Sequence, residues 1–349
     1  MPDREARGGT LIVGDDFAGS YVARKFGRRG ATIVSPENFM LFTPMLPEAA
    51  SGTLEPRHVV VPIRVMCPHS DLVLGRAVAH DGGGRCVQVE TEETVFWIRY
   101  DNLVVAGGAV ARTLPIPGLA DHALGFKSLS DAIHLRNHVL TRLEVAATVS
   151  AKTHRRRELT FVFVGAGYAG VEALAELADL VRDASTVVWT AGVKANPFVA
   201  ELGLPLDDRG RVRVDGTLRV EGTEHVWALG DCAAVPNAAT PGRVDPPTSQ
   251  HALRQAKRLA RNVAGEMRPF RYRTLGEVAT LGRYKGIANV FGFPIKGFLG
   301  WWVTRTYHLY QPPLLSRKLR VVTDWTVALF FRRDIAELGV LEHPRRLGD

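Results

Sequence analysis

Two glycine turns are the parts of this chain whose residue types and spacing could do chemistry. The first is Val13-Gly14-Asp15-Asp16-Phe17-Ala18-Gly19 and the second is Val164-Gly165-Ala166-Gly167-Tyr168-Ala169-Gly170. Each follows an apolar run, Thr10 to Val13 and Leu159 to Val164, and each leads into a helical pattern, Ser20 to Gly27 and Val171 to Val181. Strand, glycine turn and helix open a dinucleotide-binding unit. The first glycine permits the tight turn, the second lets main chain approach a pyrophosphate, and the third lets helix pack on strand. A diphosphate then rests on the helix N-terminus, where main-chain N–H groups and the helix dipole favour an anion. One such turn is weak evidence. Two in the same context form an internal repeat, which is far more specific. The plain alternative is a pair of turns in an α/β sheet with no ligand.

The elements that must hold these turns follow from the apolar runs. Tyr100 to Ala109 reads as a buried strand ending in glycines, and Glu224 to Ala233 as another ending at Gly230-Asp231. Ligands of open α/β sheets gather at such strand ends. Asp231 could there accept hydrogen bonds from a polyol, or it could cap a following helix. The expected fold class is α/β, a Rossmann-like FAD/NAD(P)-binding fold with a second, shortened dinucleotide lobe and a C-terminal α+β tail. By function the chain divides into residues 9–112 with 216–275, then 113–215, then 276–349.

The bulk numbers bound the partners. A chain of 349 residues exceeds one ordinary core. Its net charge of +8 and pI near 9.6 favour anionic partners. The basic residues are scattered apart from His154-Arg155-Arg156-Arg157, and no nucleic-acid motif occurs, so nucleic acid is not an expected partner. Cys67, Cys86 and Cys232 form no Cys-x-x-Cys pair, which predicts a reducing setting and no metal site. The opening MPDREARGG does not read as a secretory signal. No apolar run reaches the roughly 18 residues of a membrane-spanning helix, so any membrane contact is expected at the surface.

Further segments complete a family pattern: Asn38-Phe39-Met40-Leu41-Phe42-Thr43-Pro44, Tyr100-Asp101-Asn102-Leu103, Ala106-Gly107-Gly108, Thr186 to Gly192, Val226 to Asp231, Pro246-Pro247-Thr248-Ser249-Gln250 and Thr280-Leu281-Gly282-Arg283. In this order they resemble type II NADH dehydrogenases, the membrane-surface NADH:quinone oxidoreductases with one FAD, over most of the chain. The resemblance implies that Gly14 and Gly19 hold the FAD pyrophosphate, that Val78 offers main chain to the adenine, and that Thr43, Pro44 and Gly108 line the flavin approach. It implies that Asp231 binds the ribityl chain and Gln250 sits at the quinone side. Gly165, Gly167 and Gly170 would take the NADH pyrophosphate, with Glu172 and Gly192 near the nicotinamide and Lys285 facing flavin or quinone. Glu172 and Gln250 are the residues expected to handle protons and quinone. For Glu172 the plain alternative is a first-turn glutamate that suits the helix dipole.

Three departures stand against this pattern. Asp16 occupies the place of the second glycine, where its carboxylate would face the pyrophosphate. Two like charges about 4 Å apart repel by roughly 1 kcal/mol in water and roughly 4 kcal/mol at an effective dielectric of about 20. The acid that grips the adenosine ribose is replaced by Ser35, a weaker partner, with Glu37 as the nearest substitute. Finally, Leu159 to Thr190 has room for a single βαβ unit, whereas a complete mononucleotide half needs βαβαβ. Relative to the family, chain is missing between Ala184 and Ser185.

The C-terminal part is aromatic and basic. Trp301, Trp302, Tyr307 and Tyr310 cluster, and Val322, Trp325 and Leu329 repeat at helical spacing before Arg332 and Arg333. Such a segment suits a membrane interface on the cytoplasmic face, where a lipid-soluble quinone is reached, and equally a packing helix or a homodimer face. Three readings stay open. The chain carries hydride from NADH to FAD and electrons on to a quinone; or it keeps FAD with another electron donor; or it is a cofactor-poor, non-enzymatic scaffold.

Overall fold

The strand Thr10–Val13 reads Thr-Leu-Ile-Val, and all four residues are buried. A run buried on both faces belongs in the middle of a parallel sheet. In the computed structural model of the chain, which describes residues 3–14, 16–165, 167–178, 186–274 and 276–331, this strand lies between Thr32–Ser35 and Asn102–Val105, parallel to both. Asp71–Leu74 adds beyond the first and Val226–Ala228 beyond the second, giving five parallel strands. The two strands expected from Tyr100 and Glu224 are shorter than their apolar runs. The positive φ of Gly108 (63°) and Gly230 (75°) turns the chain just past each strand end.

By contacts the chain forms two compact units, one of Met1–Leu41, Val61–Val110 and Val193–Thr274, the other of Phe42–Val60, Ala111–Gly192 and Leu275–Asp349. The three-part division expected from the sequence cuts the chain at other points.

The first unit holds the five-stranded sheet. The helix Phe17–Phe26 leaves the first glycine turn, starts three residues before the expected pattern, and packs on the helix Ser249–Val263. In that second helix His251, Ala252, Gln255, Ala256 and Leu259 are buried, a stripe at three- and four-residue spacing. Thr248 caps it, its hydroxyl accepting from the His251 N–H. A separate four-stranded sheet comprises Arg76–Asp81, Cys86–Glu90 and Val95–Arg99, antiparallel in that order, with Arg4–Glu5 added parallel to the last. Its register slips between Ala77 and Ala79, so Val78 is the bulged residue.

The second unit holds the second glycine turn. Phe161–Val164 and Thr186–Trp189 are parallel neighbours, with Leu124–Gly125 beyond, and Tyr168–Ala178 is the helix after the turn. The expected end of that helix at Val181, and the junction between Ala184 and Ser185, lie outside the described residues. The strands Gly276–Thr280, Gly286–Val290 and Phe293–Lys296 form an antiparallel sheet that carries the helix Gly297–Tyr310, followed by Leu315–Phe330. No helix among the described residues is long and apolar enough to cross a membrane. The architecture is α/β and Rossmann-like, as the glycine turns predict.

Candidate functional site

The first corner begins where Thr10–Val13 ends. Gly14 has φ +103° and lies so close to the Ala106 carbonyl that a Cβ would overlap it. A Cβ on Gly19 would likewise overlap the Gly14 carbonyl. These two glycines therefore let strand and helix close on each other, which brings the helix N-terminus to the sheet edge. Asp16 stands at the N-cap of that helix, yet among the described residues its side chain makes no capping hydrogen bond. Its carboxylate instead lies against Gly108, where a Cβ would overlap Oδ2. Asp16 and Gly108 thus face each other across the ends of two neighbouring strands, and the carboxylate projects over the sheet edge rather than into the helix.

Ser35 ends the next strand and is fully buried, its Oγ accepting the Glu37 N–H at 3.1 Å. The Glu37 side chain is exposed. On the opposite side of the sheet, Gly230 to Cys232 form a single tight turn after Val226–Ala228. The short strand Ala233–Ala234 follows, so Asp231 lies within the turn and does not cap a following helix. The turn is held from behind by a buried polar chain. The Gly230 N–H donates to Gln255 Oε1 at 2.8 Å, Gln255 Nε2 donates to Asp245 Oδ2 at 2.9 Å, and Asn237 Nδ2 donates to Asp245 Oδ1 at 2.8 Å. Asp245 also lies 3.7 Å from His251 Nε2, and burial holds the imidazole below its usual pKa. Nearby, Gln250 accepts from the Tyr272 hydroxyl at 3.1 Å. Cys232, beneath the same turn, is driven by burial to a pKa of about 12 and stays a thiol.

Sequence reasoning missed two supports of this corner. Phe198 lies with its ring against Gly107, where a Cβ would overlap it, and only a packed structure reveals that neighbour. The Asn237–Asp245–Gln255 chain had a faint signal: Gln255 is a polar residue on the apolar stripe of its helix.

The second corner, in the other unit, repeats the geometry. Gly165 has φ +122°, and Gly170 lies so close to Thr190 that a Cβ would overlap its hydroxyl. A Cβ on Gly167 or Gly192 would meet nothing within 4 Å among the described residues, and both glycines are exposed. Glu172 lies farther along the helix. It is not in the first turn, which corrects the dipole alternative. It is buried, and its Oε1 accepts the Thr280 N–H at 2.9 Å.

Around Glu172 the unit buries two further acids. Glu176 is one helical turn on, with no exposed surface, and Ser51 Oγ lies 3.3 Å from its Oε2. Glu48, from the helix Leu46–Ala50, pairs with Arg305 at 3.4 Å and accepts from the Trp325 indole N–H. The Arg305 guanidinium stacks over the rings of Trp301 and Trp325, 4.4 and 4.6 Å from their centroids. Burial raises Glu172 to a pKa of about 8, with Glu48 and Glu176 adding to the rise and the Thr280 N–H opposing it. Glu172 therefore holds a proton at neutral pH and can release it near physiological conditions.

The remaining expected residues scatter more widely. Thr43 and Pro44 form a half-buried 3₁₀ turn ahead of Leu46–Ala50, Val78 is half-buried in its bulge, and Lys285 is exposed in the Leu281–Lys285 turn. The structure thus gathers Gly14, Asp16, Gly19, Ser35, Gly108 and Asp231 along one sheet edge, and Gly165, Gly167, Gly170 and Gly192 at another. On the two C-terminal helices Trp325 is buried, while Phe298, Leu299, Trp302, Leu315, Leu319 and Phe330 are exposed; Arg332 and Arg333 lie outside the described residues.

The chain is similar to known proteins in sequence and fold. The family model of the pyridine nucleotide-disulphide oxidoreductases matches residues 9–183 and 179–256. The internal alternative NAD(P)H-ubiquinone oxidoreductase A1 of Solanum tuberosum is 28% identical over 435 aligned positions, spanning 94% of this chain and 88% of that one. Those positions outnumber the 349 residues here, so the potato protein carries stretches without counterpart in this chain. The type II NADH:quinone oxidoreductase Ndh of Mycobacterium tuberculosis is 26% identical, spanning 95% and 90%. A solved structure of NDH2 from Plasmodium falciparum in complex with NADH superposes with a TM-score of 0.84 at 16% identity, covering 95% of this chain and 99% of that one. With a family model matching both glycine corners and the sheets behind them, the chain belongs to the pyridine nucleotide-disulphide oxidoreductase family.

Proposed function

We propose that this chain is an FAD-dependent oxidoreductase of the type II NADH dehydrogenase kind, taking hydride from NADH and passing electrons to a quinone. The observation that carries the reading is the first corner: a helix N-terminus brought to the edge of a parallel sheet by Gly14 and Gly19, with Asp231 at a strand end of the same sheet. The corner fits a flavin dinucleotide in its main chain. Among the described residues of the corner, Asp16 is adverse by its charge and Ser35 by its weaker grip, and the Asp16 carboxylate lies against Gly108.

Gly14, Gly19 and the first turn of the helix Phe17–Phe26 would hold the diphosphate, and the Ser35 hydroxyl or Glu37 the adenosine ribose. The main chain at Val78 would meet the adenine, Asp231 the ribityl chain, and Gly108, Thr43 and Pro44 the ring. FAD, when bound, supplies hydride acceptance and electron release. Gly165, Gly167, Gly170 and Gly192 would receive the NADH diphosphate. Among the described residues nothing lies within 4 Å of a Cβ on Gly167 or Gly192, which suits a nucleotide lobe shortened between Ala184 and Ser185. Lys285 and Gln250 would face the flavin or quinone, with Gln250 oriented by Tyr272. Glu172 would give up a proton as the quinone is reduced.

The exposed Phe298, Leu299, Trp302 and Phe330 suit docking on the cytoplasmic surface of a membrane, from which a lipid-soluble quinone would be drawn. A homodimer would use the same kind of apolar surface. Anaerobic visible spectroscopy tests the reading. The purified protein should show flavin bands, NADH should bleach them, and a soluble quinone analogue should restore them. Flavin bands indifferent to NADH would favour another electron donor, and a colourless protein that rejects added FAD would overturn the reading.

A further inference from the structure

The acids around Glu172 are buried, and one of them ends a short chain of hydroxyl groups. Ser51 Oγ lies 3.3 Å from Glu176 Oε2 and 3.0 Å from Thr53 Oγ1. Ser51 is fully buried and Thr53 nearly so. Thr53 lines a narrow cleft with Arg283, Tyr284, Trp301, Arg305 and Trp325, and the free space there takes a water molecule. Two of the residues that line it, Trp301 and Arg305, each carry a buried N–H, Nε1 and Nε, with no partner among the described residues. At the far end, Glu172 and Glu176 are four residues apart on one helix, so their carboxyls share a face.

We propose that Thr53 and Ser51 form a proton route from water in this cleft to the Glu172–Glu176 carboxyl pair. The inference rests on the quinone-reducing reading for its purpose, since each quinone reduced to quinol takes up two protons. A hydronium in the cleft gives a proton to Thr53 Oγ1 and becomes water. Thr53 passes its own hydroxyl proton to Ser51 Oγ, and Ser51 passes its own to Glu176 Oε2. Each hydroxyl ends with one proton, the carboxylate becomes a carboxylic acid, and no electron moves. Ser51 then rotates its proton toward the Glu48 carbonyl, 3.1 Å away, which frees its lone pairs for the next transfer. Arg305 pairs with Glu48 at 3.4 Å beside this route.

The test is hydrogen–deuterium exchange at the carboxylic acid C=O band, read by infrared spectroscopy on the full chain after transfer to D₂O. The band is assigned by its loss in Glu172→Gln and Glu176→Gln. Ser51→Ala and Thr53→Val should each slow the exchange by about ten-fold or more, and Ser51→Thr, which keeps a hydroxyl, should restore it. Exchange as fast as in the parent chain in Thr53→Val, a substitution of nearly equal shape, would overturn the route even if Ser51→Ala fails to fold. A kinetic arm separates this inference from the functional reading: Thr53→Val should leave flavin reduction by NADH unchanged and slow quinol formation with an enlarged solvent isotope effect. A chain that reduces no quinone at all would defeat the reading, while the infrared arm still decides the route.

Discussion

At the scale of single residues, two carboxylates set the behaviour of the molecule. Asp16 stands at the N-cap of the helix on which a diphosphate would rest, with its carboxylate against Gly108. Its repulsion, roughly 1 to 4 kcal/mol depending on screening, corresponds to about ten- to thousand-fold in affinity. Asp16→Gly should therefore tighten FAD binding within that range, measured by flavin fluorescence quenching on the apoprotein; unchanged affinity would mean that the carboxylate does not face the ligand. Glu172 acts through pH. Its folded pKa of about 8 exceeds the ordinary value, so the folded state binds its proton more tightly than the unfolded chain does. Its contribution to stability is complete below the ordinary carboxylate range and is lost as pH rises toward about 8, at up to roughly 1.4 kcal/mol per pH unit. Glu172→Gln should flatten that loss, so that melting temperature falls less between pH 6 and pH 9 than in the parent chain. Asp16 was legible from the glycine spacing alone. The burial of Glu172 was not, because a helix pattern states which residues share a face but not which carbonyl, amide or acid that face will meet.

At the scale of elements, polar chains hold turns that apolar packing alone leaves loose. Gln255 joins the Gly230 N–H to Asp245, and Gln255→Ala would leave a buried carboxylate oxygen and a main-chain donor without these partners. A cost of about 1–3 kcal/mol is expected for such a loss. It should appear as a lower melting temperature together with weaker FAD binding, since the same turn carries Asp231. The C-terminal helices are joined to Glu48 by Arg305 and Trp325. Removing the cation in Arg305→Leu strands a buried carboxylate, which costs about 3–5 kcal/mol, and thermal unfolding should register it. The strands and helices beside both glycine turns were readable because hydrophobic period and turn chemistry agree there. The C-terminal pair of helices was readable only as an aromatic segment. Its buried face is defined by ion and indole contacts to Glu48, more than 250 positions earlier in the chain, and no local pattern announces such a partner.

At the scale of the whole molecule, the chain keeps the supports of a two-nucleotide flavoprotein while carrying less chain than its potato relative. The fold class was legible in the repeat, and the division into compact units was less so, because Phe42–Val60 belongs by contacts with segments far along the sequence. The exposed apolar residues of the last two helices predict sedimentation with liposomes, and Trp302→Glu with Phe330→Glu should abolish it without lowering the melting temperature. The claim on which the account depends is that a diphosphate-bearing flavin sits at the first glycine corner. Amide hydrogen exchange, followed by mass spectrometry with and without FAD, measures this directly. The account predicts slowed exchange in peptides covering residues 13–20 and 228–233. Protection confined to the second corner, residues 163–171, with the first corner unchanged, would contradict it.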